Sequence, residues 1–441
     1  MQDIIKDKIS FIGLGKLGLP LSTIFAKNGV KVVGIDKQQK LIDKLKDGDV
    51  PFFEEGLQEN LKLSRDNIEY KSDYEGIVND TDISVILVNT QLGKNYSTVN
   101  VEYVIRDICK ELKKSDKSYH LFILSSTVMP KDIEDNFIPM IEELTDRKLN
   151  EGFGFSYVPD VVKLGSVIND FENPDVVIIG SSDDYSCKIT KELYENIPKN
   201  NPPICEMSLT EAEISKVSLN AYLVNKISFA NFLSNLCERV DGVNVDNITN
   251  SIGYHKPIGH YFLKGGLSFG GTCFPRDTSA FIEFSDKLGL EAKQIKATDE
   301  INEYQDVNLF NIVHDTKKDS ISILGLSFKP NTPTITDSAS IELAWKLLKK
   351  GKSVNLYDPL CMDEVKKKFE PFVTTSLRYF DSLEECFKAG ELVVVALPYD
   401  EFKNIDDTWK SFDNQMILDC WRFLDENKFN DISYKCLGRK D

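Results

Sequence analysis

Histidine is scarce in this chain, four residues among 441, and its nine cysteines, at positions 109, 187, 205, 237, 273, 361, 386, 420 and 436, fall into no paired metal-ligand spacing. An odd cysteine count without close pairs or neighbouring histidines points away from structural zinc and from a disulfide framework; free thiols and no bound metal are the expectation. Also missing is any apolar run approaching the roughly 20 residues of a membrane span. No leader-like segment precedes the first strand-like run, which starts within about ten residues of Met1, so a cytoplasmic protein is expected. Basic charge is in deficit as well: 53 Lys and Arg stand against 70 Asp and Glu, a net charge of -17. Nucleic acids and anionic membranes attract basic surfaces, so neither is an expected partner. An anionic ligand would need a local gathering of lysine, arginine or helix N-termini. What is present, 41% hydrophobic and 28% charged residues over 441 positions, describes a globular chain of two or three domains.

The first of these opens with Ile9-Ser10-Phe11-Ile12-Gly13, an apolar strand that runs into Gly13-Leu14-Gly15-Lys16-Leu17-Gly18, then a helical stretch to Asn28-Gly29 and a second strand, Lys31 to Asp36. A Gly-x-Gly-x-x-Gly between a strand and a helix is the dinucleotide-binding turn. Gly13, Gly15 and Gly18 permit the tight bend, the close approach of a pyrophosphate and helix-on-strand packing, with Leu17 at the start of the helix whose N-terminus faces the phosphates. Asp36, 18 positions after the last glycine, can accept hydrogen bonds from both ribose hydroxyls and would repel a 2′-phosphate, so the cofactor expected is NAD and not NADP.

Strands then alternate with helices through Ile68 to Lys71, Ile83 to Asn89 and Leu121 to Thr127, a pattern that implies a parallel sheet. Two strand ends are polar at the edge where such sheets bind ligands, Asn89-Thr90-Gln91 and Ser125-Ser126-Thr127; helix capping would account for the same hydroxyls. Two more strand-like runs, Phe155 to Val158 and Val176 to Ile179, frame Pro159-Asp160. From Leu209 to Val240 the pattern becomes one long helix with Ser208 or Thr210 as its cap. Lys216 and Asn220, one turn apart amid Ala212, Ile214, Val217 and Leu219, suit an enclosed polar pocket better than a solvated face. A second α/β unit opens at Ile321-Ser322-Ile323-Leu324-Gly325 and continues through Val354 to Tyr357, Leu392 to Ala396 and Met416 to Leu418, without repeating the three-glycine turn.

Between the two lies Gly270-Gly271-Thr272-Cys273-Phe274-Pro275-Arg276-Asp277. Glycines let a substrate approach the backbone closely, and a cation beside a thiol favours the reactive thiolate. Most cysteines are inert, small buried residues, but this one falls between two nucleotide-binding patterns, which makes it the candidate nucleophile.

Together these segments resemble the UDP-glucose/GDP-mannose dehydrogenase family over nearly the whole chain: Phe11 to Asp36, Ser126-Thr127-Val128, Gly165 to Gly180, Lys216-Val217-Ser218-Leu219-Asn220 within Ala212 to Glu238, Phe262 to Asp277, and Leu324 to Pro330 with Leu356-Tyr357-Asp358-Pro359. The resemblance implies an α/β fold of two Rossmann-like domains joined by a long central helix. It divides the chain into an NAD-binding domain at 1–205, a helical dimerisation region with the cysteine loop at 206–315, and a sugar-nucleotide-binding domain at 316–441. It implies a homodimer that oxidises a sugar C6 alcohol to a carboxylate in two NAD-dependent steps, with Cys273 capturing the aldehyde, Lys216 and Asn220 stabilising the oxygen anion, and Asp277 activating the water or the thiol. Thr127 and Asp160 match a water-binding threonine and an acidic base, and Thr90, Thr127 and Arg276 match positions on the cofactor side. Phe262, Phe269 and Gly270 match the substrate loop, and Lys329, with Phe328 beside it, a cation near the sugar nucleotide. Gly-Gly-Thr-Cys is closer to the Gly-Gly-Ser-Cys of the UDP-glucose branch than to the N-acetylhexosamine branch, where histidine precedes the cysteine.

The chain departs from the family pattern at Asp160, where glutamate is usual, at Leu164, a second acidic position, and at Pro257 and Thr336, where arginine is frequent. Three readings stand at this point: a four-electron nucleotide-sugar 6-dehydrogenase acting on UDP-glucose, a UDP-N-acetylhexosamine or GDP-mannose; a two-electron hydroxyacid dehydrogenase, which needs neither Cys273 nor a second nucleotide-like domain; and a noncatalytic sugar-nucleotide sensor.

Overall fold

The computed structural model describes residues 8–93, 95–372 and 375–440. It divides into two compact units, Met1–Ser218 and Leu219–Asp441, the dividing point falling inside the helix Leu209–Cys237.

The first unit is an eight-stranded sheet built from β1 (Lys8–Ile12), β2 (Lys31–Ile35), β3 (Ile68–Lys71), β4 (Ile83–Ile86), β7 (Leu121–Leu124), β8 (Gly154–Tyr157), β9 (Val177–Ser181) and β10 (Ile204–Ser208); β5 (Gln91–Leu92) and β6 (Asn95–Tyr96) form a separate hairpin. Its order is β10-β9-β8-β7-β4-β1-β2-β3, all neighbours parallel except β8 and β9. The strands read as nearly unbroken apolar runs because both faces are covered, and Ile9, Phe11, Val32, Val85 and Ile123 belong to one core with Leu21, Ile24 and Phe25 of the helix Gly18–Lys27. Chain order reverses between β1 and β4, the crevice where open sheets of this kind bind ligands. In register, Ile12 stands between Ile35 and Ile86, so Gly13, Asp36 and Leu87 emerge together at the carboxyl edge.

The second unit repeats the arrangement with β11 (Ser320–Leu324), β12 (Ser353–Tyr357), β13 (Leu377–Tyr379), β14 (Leu392–Val395), β15 (Met416–Asp419) and β16 (Ser433–Cys436), ordered β13-β12-β11-β14-β15-β16 and parallel throughout. Leu324 stands between Tyr357 and Val395, which brings Gly325, Asp358 and Ala396 to its own switch point.

The expected α/β class with two Rossmann-like sheets is therefore what forms. Ser208 caps the long helix as expected and does so in a reciprocal pair: its hydroxyl accepts from the Glu211 N–H at 3.3 Å while its own N–H donates to Glu211 Oε2 at 2.9 Å. The far end differs from the expected Val240. The helix stops at Cys237, and the N–H groups of Arg239 and Val240 donate to carbonyls three residues back, which tightens the chain into turns before Gly242. A π-turn, Ile133–Phe137, leads into the helix Ile138–Thr145.

Candidate active site

In the first unit the glycine turn has the shape its sequence demands. Gly13 lies at φ 95°, and a Cβ there would sit 2.2 Å from the Leu87 carbonyl oxygen; one on Gly18 would sit 1.8 Å from the carbonyl oxygen of Gly13. Gly15, between them, is exposed and faces open space. A pyrophosphate can thus reach the backbone where the helix Gly18–Lys27 begins, with Leu17 at its cap position. Asp36 is half-exposed at the end of β2; its carboxylate accepts from Leu14 N–H at 3.0 Å and Gln38 N–H at 2.9 Å. Two further lone pairs remain for ribose hydroxyls, so the cradle fits NAD, and its negative charge opposes a 2′-phosphate.

The polar strand ends meet at the same edge. Ser126 Oγ accepts from Val88 N–H at 2.9 Å, joining the segments after β4 and β7, and leaves Thr127 half-exposed between buried neighbours. Thr90 is buried, and its carbonyl accepts from Ser97 N–H at 3.1 Å across the hairpin. Lys216, buried on the long helix, donates from Nζ to the Asp160 carbonyl oxygen at 2.5 Å. Burial pushes the Asp160 carboxyl up to about 7, against the pull of the Lys216 charge. A carboxyl with that value can exchange a proton near neutral pH, as a general base must.

In the second unit Cys273 is exposed at the cap position of the helix Phe274–Lys287. The glycine pair before it admits no side chain: a Cβ on Gly270 would lie 2.0 Å from the Asp337 carbonyl oxygen, and one on Gly271, at φ 91°, 2.7 Å from the Phe328 ring. Asp277, buried in the first turn of that helix, accepts hydrogen bonds from Asn220 Nδ2 at 2.7 Å and Arg276 Nε at 2.8 Å, and pairs with Arg276 Nη2 at 2.7 Å. The Arg276 cation is thus spent on a carboxylate within the motif, and Asn220 is tied to the same carboxylate.

Gly270 and Phe274, on either side of Cys273, line a cleft of about 380 Å³ together with Phe262, Phe269, Phe328 and Lys329. Phe274 meets Phe262 and Phe269 at 6.3 and 6.2 Å between ring centroids, and Lys329 Nζ lies 5.8 Å from the Phe328 ring centroid. Asn302 fixes the Phe269 backbone at both ends, accepting its N–H at 2.7 Å and donating to its carbonyl at 3.0 Å. Every substrate-loop residue expected from sequence therefore borders one cleft. The sequence reading missed the other wall, Leu397, Pro398 and Trp421, which follow β14 and β15. The signal was there, since these are strand-end residues at the switch point of a doubly wound sheet. Trp421 Nε1 donates to the Ala396 carbonyl at 2.8 Å, which orients its ring.

Comparison with known proteins matches the chain in three segments. Residues 7–198 match the NAD binding domain of the UDP-glucose/GDP-mannose dehydrogenase family, 210–304 its central domain and 322–426 its UDP binding domain. A UDP-glucose 6-dehydrogenase of Haloferax volcanii is 30% identical over 425 residues, 95% of this chain and 97% of the relative. A GDP-mannose 6-dehydrogenase of Pseudomonas putida is 28% identical over 358 residues, 80% of each. Among solved structures, a UDP-glucose dehydrogenase from the archaeon Pyrobaculum islandicum superposes with a TM-score of 0.88 at 28% identity, covering 97% of both chains.

Proposed function

The chain belongs to the UDP-glucose/GDP-mannose dehydrogenase family and is an NAD-dependent oxidoreductase of nucleotide sugars; we propose that its substrate is UDP-glucose, oxidised at C6 to UDP-glucuronate through a thioester on Cys273. The observation that carries this reading is the placement of an exposed thiol at a helix start, on a glycine pair that excludes side chains, beside a cleft at the switch point of the second sheet. A two-electron hydroxyacid oxidation uses neither that thiol nor that cleft. The Gly-Gly-Thr-Cys sequence and the full-length likeness to UDP-glucose 6-dehydrogenases support UDP-glucose over other sugars.

Bound NAD supplies the hydride acceptor for each oxidation, one NAD per hydride. The side chains do the rest. As C6 loses its first hydride, the hydroxyl proton passes to a base, for which Asp160 with Thr127 and a held water is our assignment, and Lys216 and Asn220 stabilise negative charge on the oxygen. The Cys273 sulfur then bonds to the aldehyde carbon and its proton moves to the oxygen, giving a thiohemiacetal; loss of the second hydride and that proton leaves a thioester. Water adds at the same carbon, the C–S bond breaks, and the carboxylate leaves as the thiol is restored. Asp277, held by Asn220 and Arg276, is our candidate for directing that water.

Dimerisation is part of the same reading. Tyr222, Phe229, Phe232 and Leu236 recur along one helix of the second unit and are 46–61% exposed, with Tyr304 and Val307 exposed on the helix Lys293–Asp315. Apolar side chains recurring at helical spacing on the outside suit a symmetric partner. Among the described residues no helix is long and apolar enough to cross a membrane.

The test is stoichiometric. Incubation with NAD and UDP-glucose should yield two NADH per sugar with no free aldehyde, and GDP-mannose or UDP-N-acetylhexosamines should turn over more slowly. A preference for one of those sugars moves the substrate and keeps the chemistry. One NADH per sugar, or full two-NADH turnover by Cys273→Ala, sinks the thioester.

A further inference from the structure

Glu213 lies on the long helix one turn before Lys216 and is fully buried, though glutamate is ordinarily a surface residue. Both its oxygens are engaged by backbone: Oε2 accepts from Lys131 N–H at 2.8 Å and Oε1 from Ile133 N–H at 3.1 Å. Those donors belong to the turn that follows Thr127. Lys131 sits there in the left-handed region, at φ 76°, and the chain enters a π-turn at Ile133. A non-glycine residue at such an angle carries strain and persists only where its surroundings hold it, and π-turns concentrate at functional sites. The other side of the turn is held too, since Met129 N–H donates to Tyr96 Oη at 3.0 Å and to Asp132 Oδ2 at 2.9 Å.

We propose that Glu213 is a positioning residue for the oxidation: its carboxylate fastens the strained turn that directly follows Thr127 onto the helix that carries Lys216, fixing the two side chains relative to each other. This rests on Thr127 and Lys216 belonging to the active site. The three-residue spacing puts Glu213 and Lys216 on neighbouring positions of one helix face, so a rotation or slip of the turn against the helix is resisted next to the reacting group. A displacement of about 1 Å in such a group costs on the order of a hundredfold in rate. Burial, with the charges of Asp132 and Glu134 nearby, pushes the Glu213 carboxyl up to about 8 against the pull of its two N–H donors, so the carboxylate that accepts both is the favoured form above that pH and a proton competes for one of its oxygens below it.

The experiment uses the full-length protein with NAD and a nucleotide sugar that it oxidises. Glu213→Gln keeps the shape but can accept only one of the two N–H groups, and should lower kcat about ten- to a hundredfold with the sugar-nucleotide KM within about threefold. A merely structural role would give an additive loss. Positioning gives a coupled one: Thr127→Val should cost much less in the Glu213→Gln background than in the unmodified protein. Lys131→Gly, which adopts φ 76° without strain, should restore part of the lost kcat. Should Glu213→Gln fail to fold, Glu213→Asp keeps the charge one methylene short and is read in the same cycle. Additive losses, or no rescue by Lys131→Gly, overturn the proposal. If Thr127→Val and Lys216→Ala leave turnover unchanged, the site reading fails and the positioning role falls with it; if both lose turnover and Glu213→Gln does not, only the positioning role falls.

Discussion

Gly13 in the first unit and Gly325 in the second stand at the same place, the first residue after the first strand of a doubly wound sheet, at φ 95° and 91°. Each donates its N–H to the last residue of the second strand, Ile35 at 2.8 Å and Tyr357 at 2.9 Å. Each is followed by a residue whose N–H goes to the aspartate after that strand, Leu14 to Asp36 at 3.0 Å and Leu326 to Asp358 at 2.7 Å. Beyond that the turns part. Asp36 holds two N–H groups and stays half-exposed, while Asp358 is buried and holds four, from Leu326, Ser327, Leu360 and Cys361. The first turn enters a helix at Gly18, five residues on; the second runs as loop to Ala339 and turns its Phe328 and Lys329 into the cleft. Bend glycine and strand-end aspartate are therefore architecture, shared by both. What sets the first turn apart is the open Gly15, the close helix at Gly18 and a carboxylate with lone pairs to spare, and it is to these that we assign the reading of the dinucleotide.

Breaking the shared part should do the most damage. Gly325→Ala forces a side chain onto a φ of 91° with its Cβ 2.6 Å from that of Leu397, and Gly13→Ala forces one onto a φ of 95° with its Cβ 2.2 Å from the Leu87 carbonyl oxygen. Strain and overpacking each cost on the order of 1–3 kcal/mol, so both variants should unfold well below the unmodified protein in a calorimetric scan. Equal melting temperatures would mean that neither turn is a fixed element. Asp358→Ala comes next: it strands four N–H groups, three of them in buried hydrogen bonds, and should cost on the order of 3 kcal/mol or more, roughly 6–12 °C in melting temperature, while KM for NAD stays put.

Much of this contrast was legible in the sequence. The three-glycine turn and Asp36 declared themselves by spacing, and Leu356-Tyr357-Asp358 was readable as a second strand end without any hint that its carboxylate would be saturated, because that depends on which N–H groups the following loop folds back. Strands with apolar cores were visible; β10, with the polar and mostly exposed Ile204-Cys205-Glu206-Met207-Ser208, and the three-residue β13, Leu377-Arg378-Tyr379, were not, since edge strands lack the burial that creates a pattern. The substrate loop was read from the family resemblance of Phe262 to Asp277, whereas Trp421 and Leu397 border the same cleft only through the strand order. Nothing in the sequence sets Glu213 apart from the other charges of a long helix. Its burial is a tertiary fact, set by a turn some 80 residues away in the chain.

Asp36→Ala separates cofactor reading from architecture with a smaller effect. Of its N–H partners that of Gln38 is exposed and only that of Leu14 is partly buried, so the stability loss should be about 1 kcal/mol, but KM for NAD should rise about tenfold or more and the preference for NAD over NADP should narrow. Preferential use of NADP by the unmodified protein would remove Asp36 from the cofactor site.

The smallest expected change is also the cleanest separation of the two roles. Gly15 is not at a positive φ, and a Cβ built on it meets nothing within 4 Å, so alanine fits the backbone and the space as they stand. Replacing glycine by alanine at a compatible position removes unfolded-state freedom and stabilises by about 0.4–1 kcal/mol, so Gly15→Ala should melt at the same temperature or slightly higher. The added methyl group points into the space where the pyrophosphate must approach the backbone, and calorimetric titration with NAD should show affinity weakened severalfold. Binding weaker and fold intact would establish that the middle glycine serves the ligand alone. An unchanged NAD affinity would mean that the pyrophosphate does not pass over Gly15, and the turn would then differ from Gly325 in shape but not in use.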